Sequence, residues 1–502
     1  MAQISISNLN FSYEGSQETV FKDFSCSFDS RWRLGLISRN GRGKTTLLKL
    51  IAGELQANSG EIHMPGTTAP LRFPPKLNFN ASETAMDLIR TALPNLEDWK
   101  LCRELSYLET DPQLLDRSFR SLSPGEQGKL LLAALFAGDD SYVLLDEPGN
   151  HLDVQGKQIL TRYLAEKRSF LLVSHEREML NTVTDHTMAL LKSGPELVAG
   201  PYETWAAHRK NVEQFELAKN HRLEKEIYIL QAATRQTQSW AEKAHRESRK
   251  DHGGGVKMGQ KEYHRAKAAK LERRANQTEH RRDKAAEEKS KLLHDIEESP
   301  QIKLSPLPFH RERYIEGEDL CLCFGEKILA DHKSFQLRQG ERLCLAGSNG
   351  AGKSTLLHQL AGINPPKTLR MTGHLSIARG LTISFLPQKS ELPDLPLRDF
   401  LHKRDLDMTR LLTLLRKMDF PREVFEGSVS QFSSGQKRKL LLAMSLCQEA
   451  HLYLWDEPLN YLDIQSREQI EDAILQAKPT MVFVEHDQYF CKKIATKILA
   501  LP

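Results

Sequence analysis

The sequence has little of what a membrane-embedded or secreted protein needs. Nowhere in its 502 residues does an uninterrupted apolar run approach the ~20 residues of a bilayer span. The N-terminus, Met1-Ala2-Gln3-Ile4-Ser5-Ile6, lacks the basic-then-apolar layout of a secretory signal. Cysteine is sparse: seven residues, at 26, 102, 321, 323, 344, 447 and 491, with no CxxC pair. That pattern offers no disulfide framework and reads as reduced, mostly core thiols of a cytoplasmic protein. Cys321 and Cys323 alternate along a predicted strand, which favours packing over metal binding. A strong excess of one charge is also missing. The net charge of +4 does not by itself point to a polyanionic partner. The length calls for more than one domain.

What is present is organised around Gly347-Ser348-Asn349-Gly350-Ala351-Gly352-Lys353-Ser354. The stretch fits G-x-x-x-x-G-K-[ST], with an apolar strand (Arg342–Ala346) before it and an apolar helix start (Thr355-Leu356-Leu357) after it. Backbone N–H groups of Asn349, Gly350 and Gly352 would close around phosphates, and the helix N-terminus adds its positive dipole end. Lys353 would reach the β- and γ-phosphates of ATP, and Ser354 would ligate Mg²⁺.

The same layout occurs earlier, about 309 positions upstream: Ser38-Arg39-Asn40-Gly41-Arg42-Gly43-Lys44-Thr45-Thr46. Ser38 stands where the first glycine is usual, while Asn40, Gly41, Gly43, Lys44, Thr45 and Thr46 keep the phosphate-binding pattern. Tyr13, just after a first strand, and Phe324 in the second half are matched aromatics. Either ring stacks on adenine or packs a small sheet.

An apolar run ending in two carboxylates also occurs twice, as Tyr142–Pro148 and Leu452–Pro458. Such a strand delivers Asp146-Glu147 and Asp456-Glu457 to its C-terminal edge, where open α/β sheets bind ligands. Asp146 and Asp456 would hold Mg²⁺ through water, and Glu147 and Glu457 would deprotonate the attacking water. Later apolar strands end in His175 and His486. A single histidine there would be structural; two at matching places read as γ-phosphate sensors. A third recurring piece, Leu122-Ser123-Pro124-Gly125-Glu126-Gln127 and Phe432-Ser433-Ser434-Gly435-Gln436, leads into an apolar helix whose N-terminus offers another phosphate cradle.

The order of these motifs resembles the ATP-binding cassette (ABC) family. The fold class is then α/β, with two P-loop cassettes, 1–205 and 306–502. The resemblance implies head-to-tail pairing within one monomeric chain. One composite site would join Lys44, Asp146, Glu147 and His175 to Ser433 and Gly435. The other would join Lys353, Gln388, Asp456, Glu457 and His486 to Ser123 and Gly125, with Gln388 contacting Mg²⁺ and the water. Departures from the pattern are Pro124 and Ser434 in the signature motifs and Pro75 where the first half should carry glutamine.

Between the cassettes, 206–305 shifts to Lys, Arg, Glu and Gln with few aromatics. Apolar positions at 3/4 spacing (Leu223, Ile227, Leu230; Leu271, Ala275, Ala285, Leu292, Ile296) predict two antiparallel, coiled-coil-like helices. The glycine-rich break at 251–259 would be the tip. A helix of ~43 residues would run ~65 Å. From Lys243 to Lys284 there are 14 Lys/Arg against 6 Asp/Glu. That basic stretch suits structured RNA, or else is a solvated coil without a partner.

Tandem cassettes on a charged helical linker resemble the ABC-F family, and Leu459-Asn460-Tyr461 with Leu122-Ser123-Pro124 resemble its Lsa-type antibiotic-resistance members. From Pro75 to Ser123 is 48 positions and from Gln388 to Ser433 is 45, so no inserted arm is expected; nor is an extension beyond Pro502. The resemblance implies ATP with Mg²⁺, a cytoplasmic protein without membrane or transmembrane subunit, and a 70S ribosome partner. It would occupy the E site beside P-site tRNA, the linker reaching toward the peptidyl-transferase centre against lincosamides, pleuromutilins or streptogramin A. The alternatives are a general ABC-F translation factor without a drug role and, further off, a transporter or SMC-like ATPase.

Overall fold

A computed structural model describes residues 3–212 and 302–501, apart from 16–18, 66–69, 76–83, 95, 139–141, 151, 192, 325–326, 349, 364–368, 389–391, 403–405, 419, 421–424 and 426; between 213 and 301 it describes 214–215, 218–220, 222–223, 225–226, 228–229 and 232. Residues 1–205 with 300–502 form one compact unit and 206–299 another.

Each cassette is built from two sheets with the phosphate-loop helix between them. In the first, a three-stranded antiparallel sheet orders Thr19–Asp29, Gln3–Ser12 and Ser59–His63. A six-stranded sheet orders Leu71–Phe73, Val143–Asp146, Phe170–Val173, Arg33–Ile37, His186–Leu191 and Gly194–Ala199, all parallel except the last. The second cassette repeats this with Lys327–Arg338, Arg313–Phe324 and Leu369–Ile377 in its small sheet. Its parallel sheet orders Ile383–Leu386, Leu452–Asp456, Thr480–Val484, Arg342–Ala346 and Lys497–Ala500. Central strands such as Phe170–Val173 and Thr480–Val484 are apolar on both faces and wholly buried, as a parallel sheet covered on both sides requires.

The helix Lys44–Ile51 buries Leu47, Leu48, Leu50 and Ile51 in one cluster with Ile4, Ile6, Phe21 and Phe28 of the small sheet and Leu34, Leu144 and Leu171 of the large one. Lys353–Leu360 does the same with Leu356, Leu357 and Leu360. These clusters fix where each helix begins, and hence where each phosphate loop sits.

All seven cysteines are free, but only Cys344 and Cys447 are buried. Cys26 and Cys491 pack, partly buried, against the two cores, while Cys102, Cys321 and Cys323 lie at intermediate positions of helices and strands. Composition carries the linker to 305, yet Ile302 and Leu304 are buried in the second cassette's core and Ser305 O accepts from Tyr453 Oη at 3.3 Å. Packing therefore starts that cassette earlier. The described residues from 206 to 232 are helical; the rest of the expected hairpin, with its tip at 251–259, lies outside the described residues. Among the described residues, no helix is long and apolar enough to cross a membrane.

Candidate functional site

Parallel register brings the chemistry to one sheet edge. Asp146 pairs with Val173 and Leu36 also with Val173, so the strand ends carrying Ser38, Asp146 and His175 lie side by side. Asp456 likewise pairs with Val484, and Leu345 with Val484. At each helix start a glycine takes the left-handed backbone, φ 88° at Gly43 and 87° at Gly352, which a side chain would resist. A Cβ on Gly43 would come within 2.7 Å of Val20 and Phe21.

The two lysines are buried and fold onto their own loops. Lys44 Nζ donates to Ser38 O at 2.9 Å, and Lys353 Nζ to Gly347 O at 2.7 Å and Ser348 O at 2.8 Å. Burial lowers both ammonium pKa values. The opposing carboxylates come partly from across the pairing: Asp463 of the second cassette acts on Lys44, and Asp153 of the first acts on Lys353. Ser38, in place of glycine, still supplies the carbonyl that the lysine uses.

The expected metal-binding residues pair within each cassette. Burial raises the Asp146 carboxyl pKa, opposed by the Thr45 hydroxyl, Arg72 and Lys44. Asp456 is fully buried, and neither of its oxygens completes an aligned hydrogen bond. Its pKa is raised by burial, against the lowering effect of the Ser354 hydroxyl beside it. A buried carboxylate without partners beside a hydroxyl is a donor set that fits a hard divalent cation such as Mg²⁺.

The two glutamates differ. Glu457 Oε2 accepts from Asn460 Nδ2 at 2.7 Å, and its Oε1 lies 3.3 Å from His486 Nε2. Burial alone would raise its pKa, but His486, Gln388 and Asn460 outweigh burial and bring it to about 2. Glu147 Oε1 lies 3.1 Å from His175 Nε2 but is not aligned for a hydrogen bond, and Oε2 accepts weakly from His175 N at 3.4 Å. Burial pushes its carboxyl up to about 8 despite Lys44 and Arg467. Burial and these same cations hold His175 well below the usual imidazole range. The missing glutamine at Pro75 thus has a visible electrostatic counterpart.

Both signature serines cap helices. Ser123 Oγ accepts from Glu126 N at 3.3 Å while Glu126 Oε2 accepts from Ser123 N at 2.8 Å. Ser433 and Gln436 do the same at 3.2 and 2.8 Å. Serine followed three residues later by Glu or Gln is the spacing such a capping box needs.

A cavity of about 1800 Å³ joins the second cassette's Gly350, Gly352, Lys353, Ser354, Thr355, Gln388, Glu457 and His486 to the first cassette's Ser123 and Gly125. It runs on to Glu147 and His175. On the other side, Lys439, on the helix opening at Ser433, acts electrostatically on Lys44 and His175. There the first phosphate loop is bonded to the second cassette: Asn40 Nδ2 donates to Tyr461 O at 2.9 Å, and Arg39 Nε to Gln465 Oε1 at 2.8 Å. Gly435 backs onto Tyr461, whose Cβ a side chain there would meet at 3.4 Å.

Tyr13 lies half-exposed against the first loop, its hydroxyl 2.9 Å from Thr46 Oγ1 and its ring edge-on to Phe11 at 5.0 Å. The Phe324 side chain and Asn349 lie outside the described residues. Reading motifs alone missed a buried cluster between the cassettes. Arg177 pairs with Glu471, its guanidinium lies 4.1 Å from the Tyr489 ring centre, and Tyr202 Oη donates to Glu468 Oε1 at 2.9 Å. Lys493 also reaches Glu471, at 2.9 Å. No spacing rule could have joined residues so distant in the chain.

The ABC transporter family model matches residues 21–150 and 330–460. The chain is 29% identical over 502 residues to the ribosome protection protein VmlR of Bacillus subtilis (strain 168), covering 98% of this chain and 86% of that protein. It is 28% identical to the ATP-binding protein Uup of Caulobacter vibrioides, covering 96% of this chain and 74% of that one. It is 24% identical to the energy-dependent translational throttle protein EttA of Haemophilus influenzae, covering 96% and 88%. Among solved structures, the archaeal ribosome recycling factor aABCE1, in complex with the ribosomal stalk protein aP1, matches with a TM-score of 0.62 at 18% identity over 98% of this chain and 87% of that one. That likeness bears on the fold alone.

Proposed function

Because the chain belongs to the ATP-binding cassette family of ABC transporters, we propose that it is an ABC-F ATPase that binds the 70S ribosome and protects it from antibiotics. One observation carries the reading: similarity to a ribosome protection protein extends over 98% of the chain, linker included. The basic stretch 243–284 supports an RNA partner.

In this reading ATP sits in the composite cavity. Gly350, Gly352 and Lys353 hold its phosphates, and the capped helix at Ser123 and Gly125 closes on the γ-phosphate from the other cassette. Ser354, Asp456 and Gln388 would hold Mg²⁺, or Thr45 and Asp146 in the first site, and the ion would supply charge neutralisation at the phosphates. Glu457 accepts the proton of the attacking water, and His486 orients the γ-phosphate and steadies Glu457. Lys44, Glu147 and His175 with Ser433 and Gly435 form the slower site. The domain limits that go with this are cassettes at 1–205 and 300–502 around a linker at 206–299. The protein acts as a monomer in the cytoplasm, near P-site tRNA.

Expression in a drug-sensitive bacterial host tests the reading. Inhibitory concentrations of lincosamides, pleuromutilins and streptogramin A should rise, and shortening 251–259 to Gly-Gly should abolish that rise while ATPase rate stays within about twofold. A second reading, a general translation factor, draws on the similarity to EttA. It is favoured if no drug class shows a change while polysome profiles do.

A further inference from the structure

We propose that Arg438 is a positioning residue for hydrolysis at the second site, fastening the loop that carries Gln388 to the turn that carries Asp456 and Glu457. Arg438 lies in the first turns of the helix Ser434–Cys447 and is 4% exposed. Its Nη1 donates to Pro387 O and reaches Gln388 O at 3.5 Å. Its Nη2 donates to Asp456 O and, at 2.6 Å, to Glu457 O. One side chain therefore bonds backbone carbonyls in both motifs where their paired strands, Ile383–Leu386 and Leu452–Asp456, come to an end. Only a planar guanidinium has the fork of donors for this; an ammonium is a point charge that reaches one or two acceptors.

Burying that charge disfavours it, and the nearby carboxylates of Glu485, Asp456 and Glu457 compensate. Arg438 Nε remains buried without a partner. So expensive an arrangement persists only where its geometry is needed.

The first cassette makes the argument by contrast. Arg438 is five positions after Ser433, and the residue five positions after Ser123 is Gly128. Gly128 has no side chain with which to reach either motif. This is the same cassette that carries Pro75 in place of glutamine. The half without the glutamine also lacks the arginine that would hold it. Arg438 thus makes the glutamine loop, the catalytic turn and the signature helix of the second cassette move as one body. A helix rotation carries Gln388 and Glu457 with it.

This inference rests on the reading of the second site as a hydrolysing site, and the experiment separates the two. Steady-state ATPase and fluorescent-nucleotide binding are measured on the full chain for the parent, E457Q, R438Q, R438K, Q388A and R438K/Q388A. A parent without turnover, or an E457Q variant as fast as the parent, overturns the site reading and the inference with it. Given a working site, R438K should lower kcat about tenfold and leave KM for ATP within about twofold. R438K should add less than about threefold in the Q388A background, because the arginine acts through that loop. R438Q should lose more than R438K. Parent-like kcat in R438K, effects that simply multiply in the double variant, or loss confined to KM would each overturn the role of Arg438 alone. Should R438Q fail to fold, R438K keeps size and charge and decides the matter.

Discussion

Glu147 and Glu457 share one backbone conformation, φ 51° in each, and each donates its N–H at 2.9 Å to the last residue of the neighbouring strand, Val173 or Val484. A left-handed backbone at a non-glycine residue costs about 1–3 kcal/mol, so both turns are held in place by their surroundings. Identical backbones then carry carboxylates in unlike settings, with Glu457 bonded and Glu147 Oε1 without an aligned partner. Glu457→Gln should therefore cost more ATP turnover than Glu147→Gln, by about tenfold. ATPase assays of the single variants decide it, and equal residual rates or the reverse order would refute the inequality.

Replacing both glutamates with glutamine should leave ATP binding intact, because Lys44 and Lys353 still hold phosphate, while removing the base that activates water. The variant should stay on ribosomes and slow growth. Co-sedimentation with 70S particles in ATP is the readout. A variant that pellets no better than the parent counts against a ribosome partner.

Asp456 is buried with both oxygens lacking aligned partners, which is costly until a cation neutralises it. Asp456→Asn removes the charge and keeps the shape. Its thermal midpoint without nucleotide should rise, the further rise on adding Mg²⁺ and ATP should shrink, and hydrolysis should fall. A lower midpoint without nucleotide would mean that the carboxylate is satisfied by the protein itself. Chelation by EDTA should stop hydrolysis in the parent.

Glu471 is fully buried between Arg177 and Lys493. Glu471→Ala removes the paired carboxylate of a buried arginine, leaving Glu468 at 3.6 Å and the more distant Asp487, and should cost about 3 kcal/mol. Replacing both Arg177 and Glu471 with Met should recover most of the loss. Denaturant midpoints of the single and double variants check this; a double variant as weak as the single would show that packing, not charge, is at stake.

Replacing Arg265, Lys267, Lys270, Arg273 and Arg274 with glutamine should weaken ribosome binding and flatten its dependence on salt, since fewer counterions are released. An unchanged slope would favour a solvated linker without an RNA contact.

Much of the site was legible because phosphate-loop chemistry is local. Gly43 with Lys44, Asp146 with Glu147, and the strand ending at His175 each lie within a few residues, and apolar runs announced the sheet edge. The unequal sites were foreshadowed by Pro75. What stayed hidden depends on tertiary approach. Nothing in Arg438's neighbours announces its hold on Pro387 and Asp456, and Tyr202 meets Glu468 across most of the chain. The left-handed turn at Glu147 was hidden for another reason: glutamate is not a residue type that marks positive φ. The start of the second cassette is not legible in composition, which does not show that Ile302 faces the core.

The contact between Arg177 and Glu471 has no mirror image in the molecule. By the alignment of the two halves on their Asp-Glu and histidine motifs, Arg177 corresponds to Gln488 and Glu471 to Thr161. Two copies of the first half would bring Arg177 against Thr161, and two copies of the second would leave Glu471 facing Gln488. Neither half can pair with itself through this contact. Recombination that exchanged one half for a duplicate of the other would therefore yield a chain without this contact.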